Sequence, residues 1–438
     1  MPCAFVKEVL AIPVLLKVII VFGLVLTLNR LRLPLSLSLL LGSLVLGFWM
    51  GLGPLQWVSI ALGGVTRPQT MSLVLVVGLI LVLSSLMEAT GHLHRLVQSF
   101  ARLSRDARIV GTFMSALIGL LPMPGGALFS APMVETSLAT QSVTKEQKTI
   151  LNYWFRHVWE YWWPLYPGVV LAVALLKVET WRYMLFMAPL SVLAILAGLI
   201  FVLKPIKRSV EQHDGGLSWP GIKAFLWEMM PISIVVFVII ALAALLGILD
   251  LMGFHVDLPG AVSIMPGLVA SILWVCRVDH ISLQQLRAAF LSRHILPMLL
   301  LVLAVMIFQS LLIEGKAVTY IRNELVAYGI PLILIVLVMP FLSGFVTGIA
   351  IGFVGTAFPL LIPMFPTTSL WDYLSYAALA YTFGFMGMML SPVHICFLVT
   401  KEYYQAKLLK SYRRLILPVL TVMFTVTFLF LLSRAVHL

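Results

Sequence analysis

The chain has 438 residues, of which 61% are hydrophobic and 11% are charged, and its mean hydropathy is +1.07. An apolar share this far above the usual ~45–50% of a soluble domain excludes a water-soluble enzyme or binding module and predicts a chain that lies in lipid. The formal net charge of +12 does not indicate nucleic-acid binding, because the Lys and Arg residues lie in short loops between apolar runs, as the positive-inside rule expects.

Apolar runs recur along the chain with the length of about 18–25 residues that crosses a hydrocarbon core as an α-helix. Membrane-spanning β-strands are shorter and alternate in polarity, so the runs predict an all-α polytopic membrane protein. About ten transmembrane helices are predicted, over residues 9–28, 35–53, 69–89, 151–176, 183–203, 229–249, 257–276, 295–313, 374–398 and 415–433. Two more apolar stretches, 111–134 and 330–363, are broken by Gly and Pro.

The positions of the basic residues predict how the chain is oriented. Loops rich in Lys and Arg are expected in the cytoplasm, whereas the loops at 250–257 and 366–372 hold neither residue and are expected outside. The number of spans then requires 111–134 to enter and leave from the cytoplasmic side, and 330–363 to enter and leave from outside. Both are predicted to be re-entrant hairpins, or else pairs of short spans, in a multi-pass protein of the cell inner (plasma) membrane with both termini outside.

Each half of the chain thereby contains three spans, one hairpin and two further spans, and the two halves start on opposite sides of the membrane. This pattern predicts two inverted repeats, 1–203 and 229–438, joined by a cytoplasmic connector at 204–228 that contains Asp214, Gly215 and Gly216. Inverted repeats with broken helices at corresponding positions are typical of secondary transporters, whose substrate site lies near the middle of the membrane.

The first hairpin is interrupted by a short run of prolines and glycines. Proline removes a backbone donor and disfavours the helix before it, and glycine permits the dihedral angles of a turn, so a helix has to end here. A second helix beginning near Ala127 would direct free N–H groups at an anion, while the carbonyls before the turn would meet a cation. A kink packed between helices is the structural alternative. The candidate binding residues of this turn are Pro122, Met123, Pro124, Gly125 and Gly126.

The corresponding break of the second hairpin is predicted at residues 343–348, where glycines alternate with hydroxyl residues. Small residues let helices approach closely, and close packing alone is one explanation of the glycines. The hydroxyl and carbonyl oxygens also suit Na⁺, a hard cation that prefers oxygen ligands. The candidate ion-binding residues here are Ser343, Gly344, Thr347 and Gly348.

The span after the first hairpin carries Arg156, His157 and Glu160. Ionisable residues inside a span are costly and indicate a function by default. In the functional interpretation, Arg156 attracts an anion while His157 or Glu160 takes up a proton. In the structural alternative, Arg156 and Glu160 share a helix face and neutralise each other near the membrane surface, flanked by a belt of tryptophans. Pro164 and Pro167 are predicted to break this span.

The matching span of the second half is also predicted to be interrupted, because it contains Gly384, Gly387, Ser391, Pro392 and His394. A single histidine near a helix end, such as His394, is as a rule structural rather than catalytic.

The sequence lacks the motifs of disulfide frameworks, metal sites and common soluble enzymes. The three cysteines, Cys3, Cys276 and Cys396, are far apart and lack a CxxC spacing, so neither a disulfide framework nor a metal site is predicted. His92 and His94 lie two residues apart and therefore on different helix faces. Since neither a GxSxG motif nor a phosphate-binding glycine loop is present, the chain is not predicted to be an enzyme or to hold a cofactor.

Segments 121–132, 152–167 and 391–394 carry a family resemblance, of which the PMPGG turn is the most specific part. Over nearly its whole length the chain resembles a prokaryotic membrane family, the domain-of-unknown-function family four hundred and one. That family is similar to the ion transporter superfamily, which includes dicarboxylate, citrate, gluconate and arsenite carriers. The resemblance implies an elevator-type carrier with a scaffold that commonly dimerises and a moving domain that holds both hairpins. Within these motifs, further candidate site residues are Ser130, Asn152, Tyr166, Ser391 and His394.

Together these features predict an ion-coupled secondary transporter of a small anionic solute that works by elevator-type alternating access. The coupling ion is H⁺ or Na⁺, and the resemblance implies no particular substrate, because the hairpin tips lack the Ser-Asn-Thr motifs of the dicarboxylate carriers. A homodimer in the lipid bilayer is expected. The alternatives are an integral membrane enzyme that uses Arg156, His157 and Glu160, or a channel, although an enzyme needs no inverted pair of hairpins and a channel favours a continuous polar pore lining.

Overall fold

The computed structural model describes residues 12–101, 106–123, 126–139, 141–207, 218–256 and 258–436. Over these residues the chain is all-helical, with no β-strand. Within the described part of the chain, six helices are long and apolar enough to cross a membrane: Pro68–Ala89, Thr180–Leu203, Met230–Leu251, Gly260–Val278, Ile295–Glu314 and Leu408–Ala435. An all-α fold with helices that could span a membrane is therefore confirmed over these residues, whereas ten spans and the re-entrant paths stay predictions.

In the described residues the α-helices are, in chain order, α1 (Val14–Arg30), α2 (Leu35–Trp49), α3 (Pro54–Thr66), α4 (Pro68–Ala89), α5 (His92–Ala101), α6 (Ala107–Ile118), α7 (Ala127–Ser137), α8 (Lys145–Arg156), α9 (Pro167–Leu176), α10 (Thr180–Gly198), α11 (Trp219–Glu228), α12 (Met230–Leu251), α13 (Met265–Val278), α14 (Leu283–Phe290), α15 (Ile295–Glu314), α16 (Ala317–Tyr328), α17 (Leu332–Thr347), α18 (Ala350–Leu361), α19 (Leu370–Met389), α20 (Ile395–Tyr404) and α21 (Leu408–Val436). A π-helical turn, Leu199–Leu203, extends α10, and short 3₁₀ turns precede α13 and follow α18.

The helices form two compact units, each built from separate parts of the chain. The first unit comprises Met1–Leu75, Ala174–Leu176 and Leu296–Ser391, and the second comprises Val76–Val173, Lys177–Ile295 and Pro392–Leu438. In the first unit, both carboxylate oxygens of Glu324 on α16 accept hydrogen bonds, each 2.7 Å long, from the backbone N–H groups of Val14 and Leu15. Glu324 thereby caps the N-terminus of α1, whose first N–H groups have no intrahelical partner.

Glycines in the first unit bring α17 and α19 into backbone contact. A Cβ atom on Gly344 would overlap the carbonyl of Gly384, and one on Gly387 would overlap the carbonyl of Phe341. Small residues permit this approach in membrane helices. The sequence predicted that Gly384 and Gly387 interrupt their helix, but neither of them does. Helix α19 continues to Met389, and the interruption follows at residues 390–394.

The break in the second hairpin lies later than predicted. Helix α17 includes Ser343, Gly344 and Thr347, and the N–H of Gly348 still donates to the Gly344 carbonyl at 2.9 Å. Gly348 then takes a left-handed conformation with φ of +64°, which a residue without Cβ adopts at no steric cost. Only Gly348 and Ile349 separate α17 from α18, so the break is one sharp turn rather than an open segment.

Helix α8 is central to the second unit. It contacts α6 and α7, which precede it in the chain, and α20 and α21, which lie near the C-terminus. The described residues between α6 and α7, 119–123 and 126, are non-helical, as is the segment between α8 and α9. These two breaks and the start of α20 define the place where the candidate residues meet.

The predicted connector contains a helix. Residues 204–207 form a turn and Trp219–Glu228 forms α11, while Asp214, Gly215 and Gly216 lie outside the described residues. Helix α11 is held by a buried polar network at His92. Since Arg95 only donates, His92 Nδ1 accepts its hydrogen bond (2.8 Å), and Nε2 donates to the Glu228 carbonyl at 2.8 Å. Arg95 also pairs with the carboxylates of Glu228 and Asp279, which joins α5, α11 and α13.

Candidate functional site

The helix that carries the ionisable residues has a well-defined start and an early end. Thr144 Oγ1 accepts a hydrogen bond from the Gln147 N–H (3.2 Å), and Gln147 Oε1 accepts one from the Thr144 N–H (3.0 Å), which is a capping box. Helix α8 ends at Arg156, well before the predicted break at Pro164. Residues 157–166 form turns, so His157 and Glu160 lie in a non-helical segment.

Aromatic side chains of this segment bond carbonyls in the last turn of α6 and in the two residues that follow it. The Trp159 indole donates to the Ala116 carbonyl (2.8 Å), the Trp163 indole donates to the Leu120 carbonyl (2.9 Å), and the Tyr166 hydroxyl donates to the Gly119 carbonyl. The last carbonyls of a helix have no intrahelical partner and need such donors when buried. Trp159 and Trp163 therefore cap the end of α6, while a belt of tryptophans near the membrane surface stays a prediction. Tyr166 reaches the same break.

The first hairpin breaks where the prolines and glycines predict. Helix α6 ends at Ile118, Pro122 and Met123 are buried and non-helical, and α7 begins at Ala127. The predicted tip residues Pro124 and Gly125 lie outside the described residues. The first turn of α7 leaves N–H groups without intrahelical partners, so its N-terminus favours negative charge.

The guanidinium of Arg156 lies at this break. Arg156 is 2% exposed, and its Nη2 donates to the Met123 carbonyl at 3.0 Å. A Cβ atom on Gly126 would stand 3.2 Å from Arg156 Cζ and would overlap Nη2. Arg156 Nε is buried and has no hydrogen-bond partner. A buried cationic donor with unused capacity and the N-terminus of α7 therefore meet at Gly126, and both favour an anion.

Asn152 connects the helices around the break. Its Oδ1 accepts a hydrogen bond from Ser115 Oγ (3.0 Å), and its Nδ2 donates to the Ala127 carbonyl (3.0 Å) and to Thr400 Oγ1 (3.3 Å). Asn152 thus joins α8 to α6, α7 and α20. Sequence reasoning missed Ser115 and Thr400, because single hydroxyl residues in apolar helices carry no spacing signal. Ser130 Oγ donates to the carbonyl of Ala127 (3.3 Å), within its own helix.

A second cluster lies beside Arg156, around His157. His157 Nδ1 donates to the Tyr153 carbonyl (2.6 Å), while the Tyr153 hydroxyl bonds Nδ1 of His394 (3.0 Å). The two imidazole rings meet edge to face, with centroids 4.8 Å apart. Glu160 Oε1 lies 3.8 Å from His157 Nε2. The arrangement brings two predicted residues of one half together with His394 of the other.

Cys396 belongs to the same cluster, although its sequence context gave no sign of a role. His157, His394 and Cys396 are buried, and one potential ligand atom from each lies within 4.8 Å of the others. These are the residue types that bind transition metals. Spacing within each half of the sequence could not reveal this cluster, because His157 is far along the chain from the other two.

The remaining candidates lie in the first unit. The hydroxyls of Ser343 and Thr356 are hydrogen bonded to each other, and Thr347 Oγ1 donates to the Ser343 carbonyl at 2.8 Å. Gly344 contacts α19 and Gly348 forms the turn described above. Ser391 is buried just after α19, and its N–H donates to the Met388 carbonyl at 3.0 Å.

Two comparisons with known proteins bear on the identity of the chain. No curated protein matches it in sequence. The family described as "Protein of unknown function (DUF401)" matches residues 9–432, which is nearly the whole chain and includes every residue of both clusters. The resemblance seen at the PMPGG turn is confirmed at the level of the family, while the relation to the ion transporter superfamily stays a prediction. The chain therefore belongs to the DUF401 family.

Proposed function

We propose that the protein is an ion-coupled secondary transporter of a small anionic solute in the inner membrane. The observation that carries this proposal is Arg156, a buried cation at a helix break with an unpartnered Nε. Burying a charge without full pairing is costly, so such a residue is retained for a function. The N-terminus of α7 beside it adds backbone donors and the positive end of a helix dipole.

The chemical class of the solute follows from the donors. Nη2 of Arg156 already donates a hydrogen bond to the Met123 carbonyl. Nε and the N–H groups of α7 remain to donate hydrogen bonds to the oxygen atoms of a solute. Carboxylate, phosphate and sulfate groups match a guanidinium edge with short charge-assisted hydrogen bonds. A small anion with one such group is therefore the solute that this geometry favours.

Protons are the coupling ions that the contacts favour. His157 and Glu160 lie within 3.8 Å of each other beside Arg156, where an anion and a proton would interact. The hydroxyls proposed for Na⁺, on Ser343 and Thr347, are engaged in hydrogen bonds within the first unit. We therefore propose H⁺ rather than Na⁺.

Alternating access fits a chain with two compact units and two broken hairpins. The hairpin broken at 119–126 belongs to the second unit, and the one broken at Gly348 belongs to the first. The family resemblance implies that one moving domain holds both hairpins, and this division into units does not reproduce that expectation. The elevator mechanism therefore enters the proposal from the resemblance alone, together with the re-entrant paths, the inverted repeats and the homodimer.

An integral membrane enzyme is the second candidate, and a single observation favours it. A thiol beside an imidazole, as in Cys396 and His157, is a nucleophile with a neighbouring base. Proteoliposomes separate the two functions, because a transporter accumulates an unchanged solute whereas an enzyme converts it. A channel would conduct without a coupled proton.

The anion site can be tested on purified protein by thermal-shift measurements with acetate, succinate, citrate, phosphate and sulfate, with and without Na⁺ and at two pH values. At least one anion is expected to raise the melting temperature of the wild type and not that of Arg156→Gln. Arg182→Gln, at an exposed arginine on α10, is the matched control and should respond as the wild type does. Equal stabilisation of the wild type and Arg156→Gln would contradict the proposed site.

A further inference from the structure

Three side chains with metal-binding atoms meet in the second unit from two distant parts of the chain. His157 is the first residue after α8, His394 is the N-cap of α20, and Cys396 lies in the first turn of α20. They are 1%, 6% and 7% exposed, and their ligand atoms lie within 4.8 Å of one another. Proximity of this kind does not follow from apolar packing, which would place hydrocarbon at such a position.

The hydrogen bonds behind the histidines are those that orient metal ligands. A carbonyl only accepts, so His157 Nδ1 carries the proton that it donates to the Tyr153 carbonyl, and the Nε2 atom keeps its lone pair. The Tyr153 hydroxyl bonds Nδ1 of His394. Metal-ligating histidines typically bond their second ring nitrogen to a carbonyl or another polar group, which fixes the tautomer and the ring orientation. Tyr153 supplies this support to both rings.

We propose that His157, His394 and Cys396 bind one Zn²⁺ ion or a similar divalent transition-metal ion. Imidazole and thiolate are the ligands that such ions prefer, and three protein ligands leave one tetrahedral position open. If each of the three atoms forms a bond of about 2.0–2.3 Å to the metal, they have to lie roughly 1 Å closer to one another than the greatest separation given above. Glu160 Oε1 lies 3.8 Å from His157 Nε2, so a carboxylate lies beside one of the three ligands.

The charges around the cluster accommodate a dication despite the nearby Arg156. A coordinating thiol is deprotonated by the metal, so Cys396 contributes one negative charge, and the Glu160 carboxylate can contribute a second. The open position would accept an oxygen of an anion held at Arg156. With a metal on Nε2 and the Tyr153 carbonyl on Nδ1, His157 has no nitrogen left to protonate, so the coupling proton of the proposed transporter would go to Glu160. The metal site itself rests only on the cluster, so it stands whether the chain is a transporter or an enzyme.

Co²⁺ titration of the full-length protein tests the proposal. The protein is purified in detergent, freed of its affinity tag and stripped with a chelator before Co²⁺ is added. The wild type should bind one Co²⁺ per chain with the visible spectrum of a tetrahedral site and a sulfur-to-cobalt charge-transfer band, and Zn²⁺ should displace it. Cys396→Ser should lose the band, and His394→Asn should bind about tenfold or more weakly.

Matched variants and a folding control make the outcome decisive. Cys276→Ser and His255→Asn, on a cysteine and a histidine outside the cluster, should keep the wild-type spectrum and stoichiometry. A wild-type protein that elutes as a folded species without the charge-transfer band would overturn the proposal, as would a band that survives in Cys396→Ser or disappears in Cys276→Ser. The wild-type titration decides alone if a cluster variant fails to fold.

Discussion

Arg156 is the residue on which the proposed anion site depends. Its side chain is deeply buried, its Nη2 donates a hydrogen bond to the Met123 carbonyl, and its Nε has no hydrogen-bond partner. Glu160 is close enough to interact with the charge of Arg156. A residue that only neutralised Glu160 would have no reason to lie against Gly126 at the start of α7. These contacts distinguish the functional interpretation from the structural one, and they can be separated by mutation.

The first prediction compares single and double neutralisation. Arg156→Gln should abolish uptake into proteoliposomes, and Arg156→Gln combined with Glu160→Gln should not restore it, because the anion loses its donor in both. A purely structural pair behaves differently, since removing one partner strands a buried charge and removing both relieves the cost. Folded yield and uptake are measured for both single variants and the double variant. Recovered uptake in the double variant would show that Arg156 does not bind the anion.

The second prediction concerns Gly126. Gly126→Ala introduces a Cβ atom that would overlap Arg156 Nη2 in its present position, so the guanidinium has to shift away from the N-terminus of α7. We expect anion affinity to fall about tenfold, the equivalent of roughly 1.4 kcal/mol, while the protein still folds. Gly247→Ala on α12 is the matched control, since a Cβ atom there has nothing within 4 Å. Anion titrations of both variants that match the wild type would move the site elsewhere.

At the scale of secondary-structure elements, the second unit is distinguished by helices that are broken near the candidate site. The start of α7 at Ala127 and the break before it could be predicted from Pro122 and its neighbours, because proline and glycine act on the local backbone. The early end of α8 could not, since no proline or glycine lies between Arg156 and Glu160. Tertiary contacts end this helix instead: the Arg156 carbonyl lies so close to Gly119 that a Cβ atom there would overlap it.

The third prediction tests the capping of α6. Trp163→Phe removes the indole N–H that bonds the Leu120 carbonyl and keeps an aromatic ring in place. A buried carbonyl left without a partner costs about 1–3 kcal/mol, so the melting temperature should fall. Trp181→Phe, at an exposed tryptophan on α10, should leave it nearly unchanged. Equal melting temperatures in Trp163→Phe and the wild type would mean that the indole bond does not stabilise the break.

At the scale of the whole molecule, summed properties of the chain could be predicted from the sequence, whereas tertiary contacts could not. Composition and family membership follow from properties summed over many residues, so the all-α membrane fold could be predicted. The meeting of His157 with Cys396 depends on how α8 packs against α20, which no local spacing records. At Gly384 and Gly387 the sequence predicted a helix break that the structure does not contain. These glycines allow α19 to pack closely on α17, and in the sequence alone they cannot be told from glycines that break a helix.

The fourth prediction tests the path of the first hairpin through the membrane. Single cysteines are placed at Gln98 and Ala139, which are exposed and flank α6 and α7, after Cys3 and Cys276 have been changed to Ser. Both should react with an impermeant maleimide only from the cytoplasmic side, because a re-entrant stretch returns to the side it left. Labelling from opposite sides would make α6 and α7 a complete crossing and would remove the predicted inverted repeat.

The aromatic caps on α6 have a consequence for how the chain is made. The Ala116 and Leu120 carbonyls receive their donors from residues 43 positions later, and the Gly119 carbonyl from one 47 positions later. A ribosome therefore delivers the end of α6 to the membrane well before the indoles that satisfy it. Until then, these carbonyls need water or the insertion machinery as partners. Nascent chains arrested shortly before Trp159 should keep this segment accessible to water, and chains arrested well beyond Tyr166 should bury it.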